Sequence, residues 1–208
     1  MTVIALPDNA WFDKVSRFEL TRTGTALRSK YTGARQQVSF PLALWAVEAT
    51  MVPKSGADAA AWRAFMVELN GQRNKFRLPV PGCDGPLSGY SARHPASGGM
   101  TAGTIAARSK SMTTRGWFGL EPLLMRGDYF TVNDELKMCM APVSTDVSGN
   151  ATISFEPGLR KAVFDGIAIE VNSPWLYLSQ QDDVSAPWAL DVPVQHTFSI
   201  KTIEAFEL

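Results

Sequence analysis

Residues 55–81 read Ser-Gly-Ala-Asp-Ala-Ala-Ala-Trp-Arg-Ala-Phe-Met-Val-Glu-Leu-Asn-Gly-Gln-Arg-Asn-Lys-Phe-Arg-Leu-Pro-Val-Pro. Trp62, Phe65, Met66 and Leu69 recur at i, i+3, i+4 and i+7, the spacing that puts four apolar side chains on one face of a helix. Ser55 stands where an N-cap belongs, with Asp58 three residues on in a weak form of the capping box. Gly71 is placed for the left-handed residue that ends a helix. The stretch therefore predicts a helix over 56–70, a glycine turn and a strand. Almost everything around it has the texture of β-structure, so a single helix marks one sheet out from the rest.

Composition sets the outer limits. The chain has 208 residues, 45% hydrophobic and 19% charged, which is long enough for one domain or two small ones and typical of a globular protein. Lys plus Arg number 20 and Asp plus Glu number 20, for a formal net charge of zero. A general nucleic-acid binder would carry a basic excess that is missing here. Neutrality also removes the self-repulsion that keeps proteins apart, which favours association with other subunits. No apolar run is long enough to cross a membrane as a helix, and the first residues do not read as a signal peptide. Cys83 lies in a Pro-Gly-Cys-Asp-Gly loop and Cys139 in a strand pattern, and no disulfide is expected between them.

Strands are predicted at 17–23, 36–40, 42–52 and 75–80 on the N-terminal side, and at 166–171, 175–178 and 195–205 at the other end. Between the first two, Arg22, Arg28, Lys30 and Arg35 lie in a glycine-punctuated segment that predicts a long exposed hairpin or loop. Residues 79–100 are rich in Pro, Gly and Ser and read as a linker. Further strands are expected at 104–112, 116–125, 128–132, 136–143 and 151–155, with turns at 133–135 and 148–150. The layout is discontinuous. A mainly β domain (sandwich or split barrel, with one short helix) spans 1–97 and 166–208, and a small β domain spanning 98–165 is inserted into it.

No catalytic set is expected from the sequence, although a Ser-His-Asp arrangement is set by space rather than spacing and stays open. The two histidines, His94 and His196, fall in the expected linker and in a terminal strand. There is no Gly-x-Ser-x-Gly elbow, no zinc-ligand spacing and no phosphate-cradling loop, so no catalytic, metal or cofactor residues are expected. Arg126-Gly127-Asp128 matches an adhesion tripeptide but reads as turn chemistry. Trp175 and Trp188 flank the acidic Gln181-Asp182-Asp183 turn, an arrangement that would suit a carbohydrate.

The order of several segments resembles a known family. The run from Ala61 to Phe65, then Leu69-Asn70-Gly71-Gln72-Arg73-Asn74-Lys75-Phe76-Arg77-Leu78-Pro79-Val80-Pro81, resembles the distal tail and minor tail proteins of long-tailed bacteriophages. So do the segments from Leu124 to Asn133, from Ser148 to Pro157 and from Phe198 to Phe206. The resemblance implies a virion protein of the tail tip, assembled in the host cytoplasm. It implies a β-rich ring, commonly hexameric, that joins the tail tube protein to the hub or baseplate proteins. It implies no catalytic residues and no cofactor, with DNA at most passing through the ring. On that expectation the interface candidates are Trp11, Phe12, Arg28, Tyr31 and Arg35. A host-surface or carbohydrate-binding module of a phage tail is the alternative, and a small enzyme ranks last.

Overall fold

Ser55 caps the helix as its position predicts. In the computed structural model, which describes residues 1–7, 14–52, 55–94, 98–181, 188–191 and 195–205, its Oγ accepts the Asp58 N–H at 3.1 Å and donates to the Asp58 carboxylate at 2.7 Å. The cap opens α1 (Gly56–Leu69), whose buried face is Ala59, Trp62, Phe65, Met66 and Leu69. The first left-handed residue at its end is Asn70 (φ 46°), one position before the expected Gly71, which follows at φ 63°. Asparagine tolerates this region by local hydrogen bonding, and the turn is held further by Asn74, whose side-chain N–H donates to the Glu68 carbonyl at 2.8 Å. Ser55→Ala should lower stability by about 1 kcal/mol, the usual effect of losing an N-cap. Urea titration measures it, and an unchanged midpoint would mean the cap is redundant.

The strands of the first half are β1 (Val3–Ile4), β2 (Lys14–Arg28), β3 (Arg35–Met51) and β4 (Lys75–Pro79). A short helix, α2 (Tyr90–Arg93), follows. Then come β5 (Gly99–Thr101), β6 (Ser111–Arg115), β7 (Pro122–Leu124), β8 (Tyr129–Val132), β9 (Glu135–Cys139), β10 (Val143–Ser144), β11 (Ala151–Glu156) and β12 (Ala168–Glu170). The last three are β13 (Trp175–Gln180), β14 (Trp188–Asp191) and β15 (Gln195–Glu204). The protein is mainly β with one helix of ordinary length.

Two compact units result, Met1–Arg77 with Tyr177–Leu208, and Leu78–Leu176. The first holds a sheet in the order β1-β4-β13-β15-β3-β2, with β14 also pairing β15. In it β13 with β15, β14 with β15, β15 with β3 and β2 with β3 pair antiparallel, and β1 with β4 pairs parallel. Helix α1 packs on this sheet through aromatic contacts. Trp62 meets Phe198 of β15 at 6.3 Å between centroids, and Phe65 meets Phe76 of β4 edge-on at 5.3 Å. Offset and edge-on pairs of this kind add to the area they bury. Polar groups buried in this sheet are bonded across strands. The Glu204 carboxylate accepts the Trp45 N–H at 3.2 Å, and Thr202 donates to the Val47 carbonyl at 2.9 Å.

The second unit contains a closed six-stranded antiparallel barrel in the order β11-β6-β5-β12-β8-β9. Closure leaves none of its six strands at an open edge. Its core includes Met112, Phe130, Val132, Ile153, Phe155 and Ile169, with Phe130 and Phe155 edge-on at 5.8 Å. Trp117 sits in the same core, and its indole N–H donates to Thr114 Oγ1 at 2.8 Å. A Cβ on Gly99 would stand 1.9 Å from that indole ring. Gly99→Ala should therefore cost roughly 2 kcal/mol through overpacking, read as a lowered melting temperature. A melting curve like that of the wild type would mean the ring can swing aside.

Three readings of the sequence change here. The expected linker at 79–100 is ordered over its described residues 79–94 and 98–100: Tyr90 is buried, the Leu87 N–H donates to the Asp128 carboxylate at 3.1 Å, and Ser88 donates to the Leu123 carbonyl at 2.7 Å. Accordingly the second unit spans 78–176, where the sequence drew the inserted domain at 98–165. The strands expected at 104–112 and 116–125 reduce to β6 and β7. Arg108, Gly116 and Leu120 all take positive φ, which breaks extended structure at those points.

Candidate assembly surface

Strands β2 and β3 form one long hairpin. From Lys14 to Arg22, β2 pairs with the Ala43–Thr50 part of β3, and residues 46–51 of β3 pair on their other side with β15. A register shift between Arg22 and Gly24 then opens a second stretch, where Gly24–Arg28 pairs with Arg35–Ser39. Among the described residues this distal stretch pairs only with itself. It is a two-stranded ribbon that extends beyond the ladder of the sheet.

The turn at its end is built by its own hydroxyls. The Ser29 N–H donates to the Ala34 carbonyl at 2.9 Å and the Gly33 N–H to the Ser29 carbonyl at 3.0 Å. Ser29 Oγ accepts the N–H groups of Tyr31 (3.3 Å) and Thr32 (3.2 Å), while Thr32 Oγ1 accepts that of Ala34 at 3.4 Å. Gly33 takes φ 71°, a conformation in which a side chain would be strained. Such a network fixes the shape of a six-residue tip without help from elsewhere in the chain.

That tip presents Tyr31, whose side chain is 99% exposed. Arg28 and Arg35 are register partners, so their side chains start from the same face of the ribbon. Both are exposed, as is Lys30. The Arg28 Nε–H reaches the Gly33 carbonyl at 3.4 Å, and none of Arg28, Lys30 and Arg35 forms an ion pair among the described residues. Below the ribbon the situation is different: Arg17 bonds both Glu19 and Glu48, the latter at 3.2 Å. Three of the five interface candidates, Arg28, Tyr31 and Arg35, thus come together at one tip. Trp11 and Phe12 lie outside the described residues.

A second exposed cluster lies in the barrel unit. His94, expected in a flexible linker, stacks on Phe118 at 4.4 Å and 17° and leans on Tyr90 at 4.9 Å. The Tyr90 hydroxyl accepts the Phe118 N–H at 2.8 Å. Beside the stack, the Glu121 carboxylate is 3.3 Å from the Arg93 guanidinium and 4.0 Å from His94 Nε2. Phe118, Leu120 and Val147 are exposed here, on loops joined by the Leu120 N–H to the Asp146 carbonyl at 3.2 Å. This cluster is not legible in the sequence, where residues 118–121 read as strand and His94 as linker.

The remaining sequence candidates resolve singly. Asp128 of the adhesion-like tripeptide is buried, and its carboxylate accepts the N–H groups of Met125 (2.7 Å) and Leu87. Its role is turn stabilisation. Cys83 and Cys139 are free thiols, and burial pushes both above the usual thiol range, which suppresses their reactivity. The acidic turn between Trp175 and Trp188 lies largely outside the described residues, and His196 is described only as part of the β15 backbone. Among the described residues no group of three His, Cys, Asp or Glu side chains is placed to hold a metal ion. The fold and this surface define a mainly β protein with a barrel unit and a self-paired cationic ribbon. No protein-family model matches the chain, and no curated protein matches it.

Proposed function

We propose that the chain is a structural protein of a bacteriophage tail tip, assembling with copies of itself into a ring that joins the tail tube to the hub or baseplate. The observation that carries this reading is the β2–β3 ribbon. Its distal residues, Gly24–Arg28 and Arg35–Ser39, support nothing else in the described sheet, yet its tip is held rigid and presents Tyr31 with two arginines. Tyrosine and arginine dominate the energetically important positions of protein interfaces. A preformed tip also loses little conformational entropy on docking. The order of the tail-protein-like segments supports the same reading, and a formally neutral chain does not resist crowding into a ring.

Light scattering on the purified protein, paired with negative-stain images, tests it. The expected result is a ring of several copies with an open centre. A protein that stays monomeric at every accessible concentration would remove self-assembly from the reading.

A second reading, a host-surface carbohydrate binder, is favoured by the cluster around Phe118. An exposed aromatic ring beside Arg93 and Glu121 offers a stacking face and polar groups suited to hydroxyls. Glycan-array binding by the whole chain, lost in Phe118→Ala, would support it. Silence on the array would leave the tail-tip reading alone.

A further inference from the structure

The ribbon tip combines charge, register and shape in a way that specifies its partner. No Asp or Glu occurs between Glu19 and Glu48, while Arg22, Arg28, Lys30 and Arg35 all lie in that interval. Like charges directly opposite on paired strands repel, and Arg28 and Arg35 are such a pair with Lys30 in the turn beside them. No carboxylate on the ribbon offsets that repulsion. Because the whole chain is formally neutral, the rest of it carries a net negative charge equal to the three positive charges of Arg28, Lys30 and Arg35. A second copy therefore brings the complementary charge that the tip lacks.

We infer that the tip of the ribbon, through Arg28, Lys30, Arg35 and Tyr31, docks on a carboxylate-bearing surface of a second copy of this chain. This rests on the self-assembly reading above and names its contact. A cationic tip and the carboxylates it would meet lie on different surfaces, so the contact is head-to-tail, and head-to-tail contacts generate rings when the rotation closes. Arginine suits the role because its planar guanidinium takes a carboxylate through two parallel hydrogen bonds. Nucleic acid fits less well. Strong phosphate-backbone binding needs many cations, whereas the tip offers few and only one aromatic ring for stacking. Further down the hairpin, Arg17 is already paired with Glu19 and Glu48.

The test is sedimentation velocity on the full chain in about 50 mM and about 500 mM salt, a range over which charge pairing between exposed groups is progressively screened. Wild-type protein should associate at least tenfold more tightly at the lower salt. Arg28→Glu with Arg35→Glu should weaken association at low salt by about 100-fold, as expected for reversing two charges that face carboxylates. Lys30→Glu should fall between the two. All variants should keep the wild-type circular dichroism spectrum and melting temperature, since the tip carries none of the core. Assembly of the double variant equal to wild type would overturn the inference while leaving the ring reading intact. A wild type that never associates would overturn both. Wild-type binding to a DNA duplex, lost in the double variant whose assembly persists, would assign the tip to nucleic acid and overturn the inference as well.

Discussion

Glu135→Ala should destabilise the protein by about 3–5 kcal/mol, the range found when one partner of a buried ion pair is removed. The Lys137 side chain is fully buried, and its ammonium lies 2.6 Å from Glu135 Oε2 and 3.0 Å from the Gly158 carbonyl. The two residues are two apart on β9, which puts both on the same face of the strand. Alanine at 135 leaves the ammonium buried without its carboxylate. It also removes the acceptor of the Arg160 N–H (3.0 Å) and the Lys161 N–H (3.3 Å). Those amides hold the 158–161 loop against the barrel, so the loss combines a stranded charge with two broken hydrogen bonds.

The reciprocal change should be milder. In Lys137→Met the Glu135 carboxylate keeps its backbone donors and the Arg160 guanidinium, whose Nε lies 3.4 Å away. An anion with several donors tolerates the loss of one better than a buried cation tolerates the loss of its counter-charge. Urea unfolding of both variants should therefore place Glu135→Ala clearly below Lys137→Met. Equal losses, or a Glu135→Ala variant within about 1 kcal/mol of wild type, would mean that water enters and solvates the ammonium.

This buried pair was beyond the reach of sequence reading, and the reason is physical. Lys137 was visible only as a polar position in a strand pattern, because the 158–161 loop that buries it is brought there by the barrel's closure. Helix α1 was legible, since its signals are local: the cap hydroxyl and the apolar positions lie within one stretch of chain. The mainly β character was legible for the same reason. Within the expected linker at 79–100, residues 79–94 misled because Pro, Gly and Ser describe how the backbone turns, and carry no record of the Asp128 carboxylate that takes the Leu87 N–H. The 116–125 segment misled because apolar composition suggested strand, while Gly116 and Leu120 adopt left-handed conformations around the anchored Trp117. At the ribbon, the run of cations without acids could be read directly. That Arg28 faces Arg35 depends on the register, which is shifted between Arg22 and Gly24 and cannot be counted from the sequence.

Replacing residues 24–41 by Asn-Gly should abolish ring formation and leave a folded protein. From Arg17 opposite Glu48 the proximal ladder runs through Arg22 opposite Ala43 in one continuous register. Extending it by one residue sets Thr23 opposite Leu42, and a two-residue Asn-Gly turn is the connection that closes such a ladder with matching twist. The cut removes the shifted distal stretch, the hydroxyl-built turn and Tyr31. It leaves the pairing of β3 with β15 at residues 46–51, and the contacts of α1 with Phe76 and Phe198, untouched. Thermal unfolding should then shift by no more than a few degrees, the equivalent of about 1 kcal/mol for a chain of this size. Light scattering should return the mass of a single chain where the proposed ring gives the wild type several. Removal of the ribbon goes further than reversing the charge at its tip, because it deletes the shape of the contact along with the charge. A ring that survives the deletion would assign assembly to other surfaces and leave the ribbon for a partner outside the ring. A variant that fails to fold would instead make the ribbon part of the sheet's own stability, contrary to its self-contained pairing.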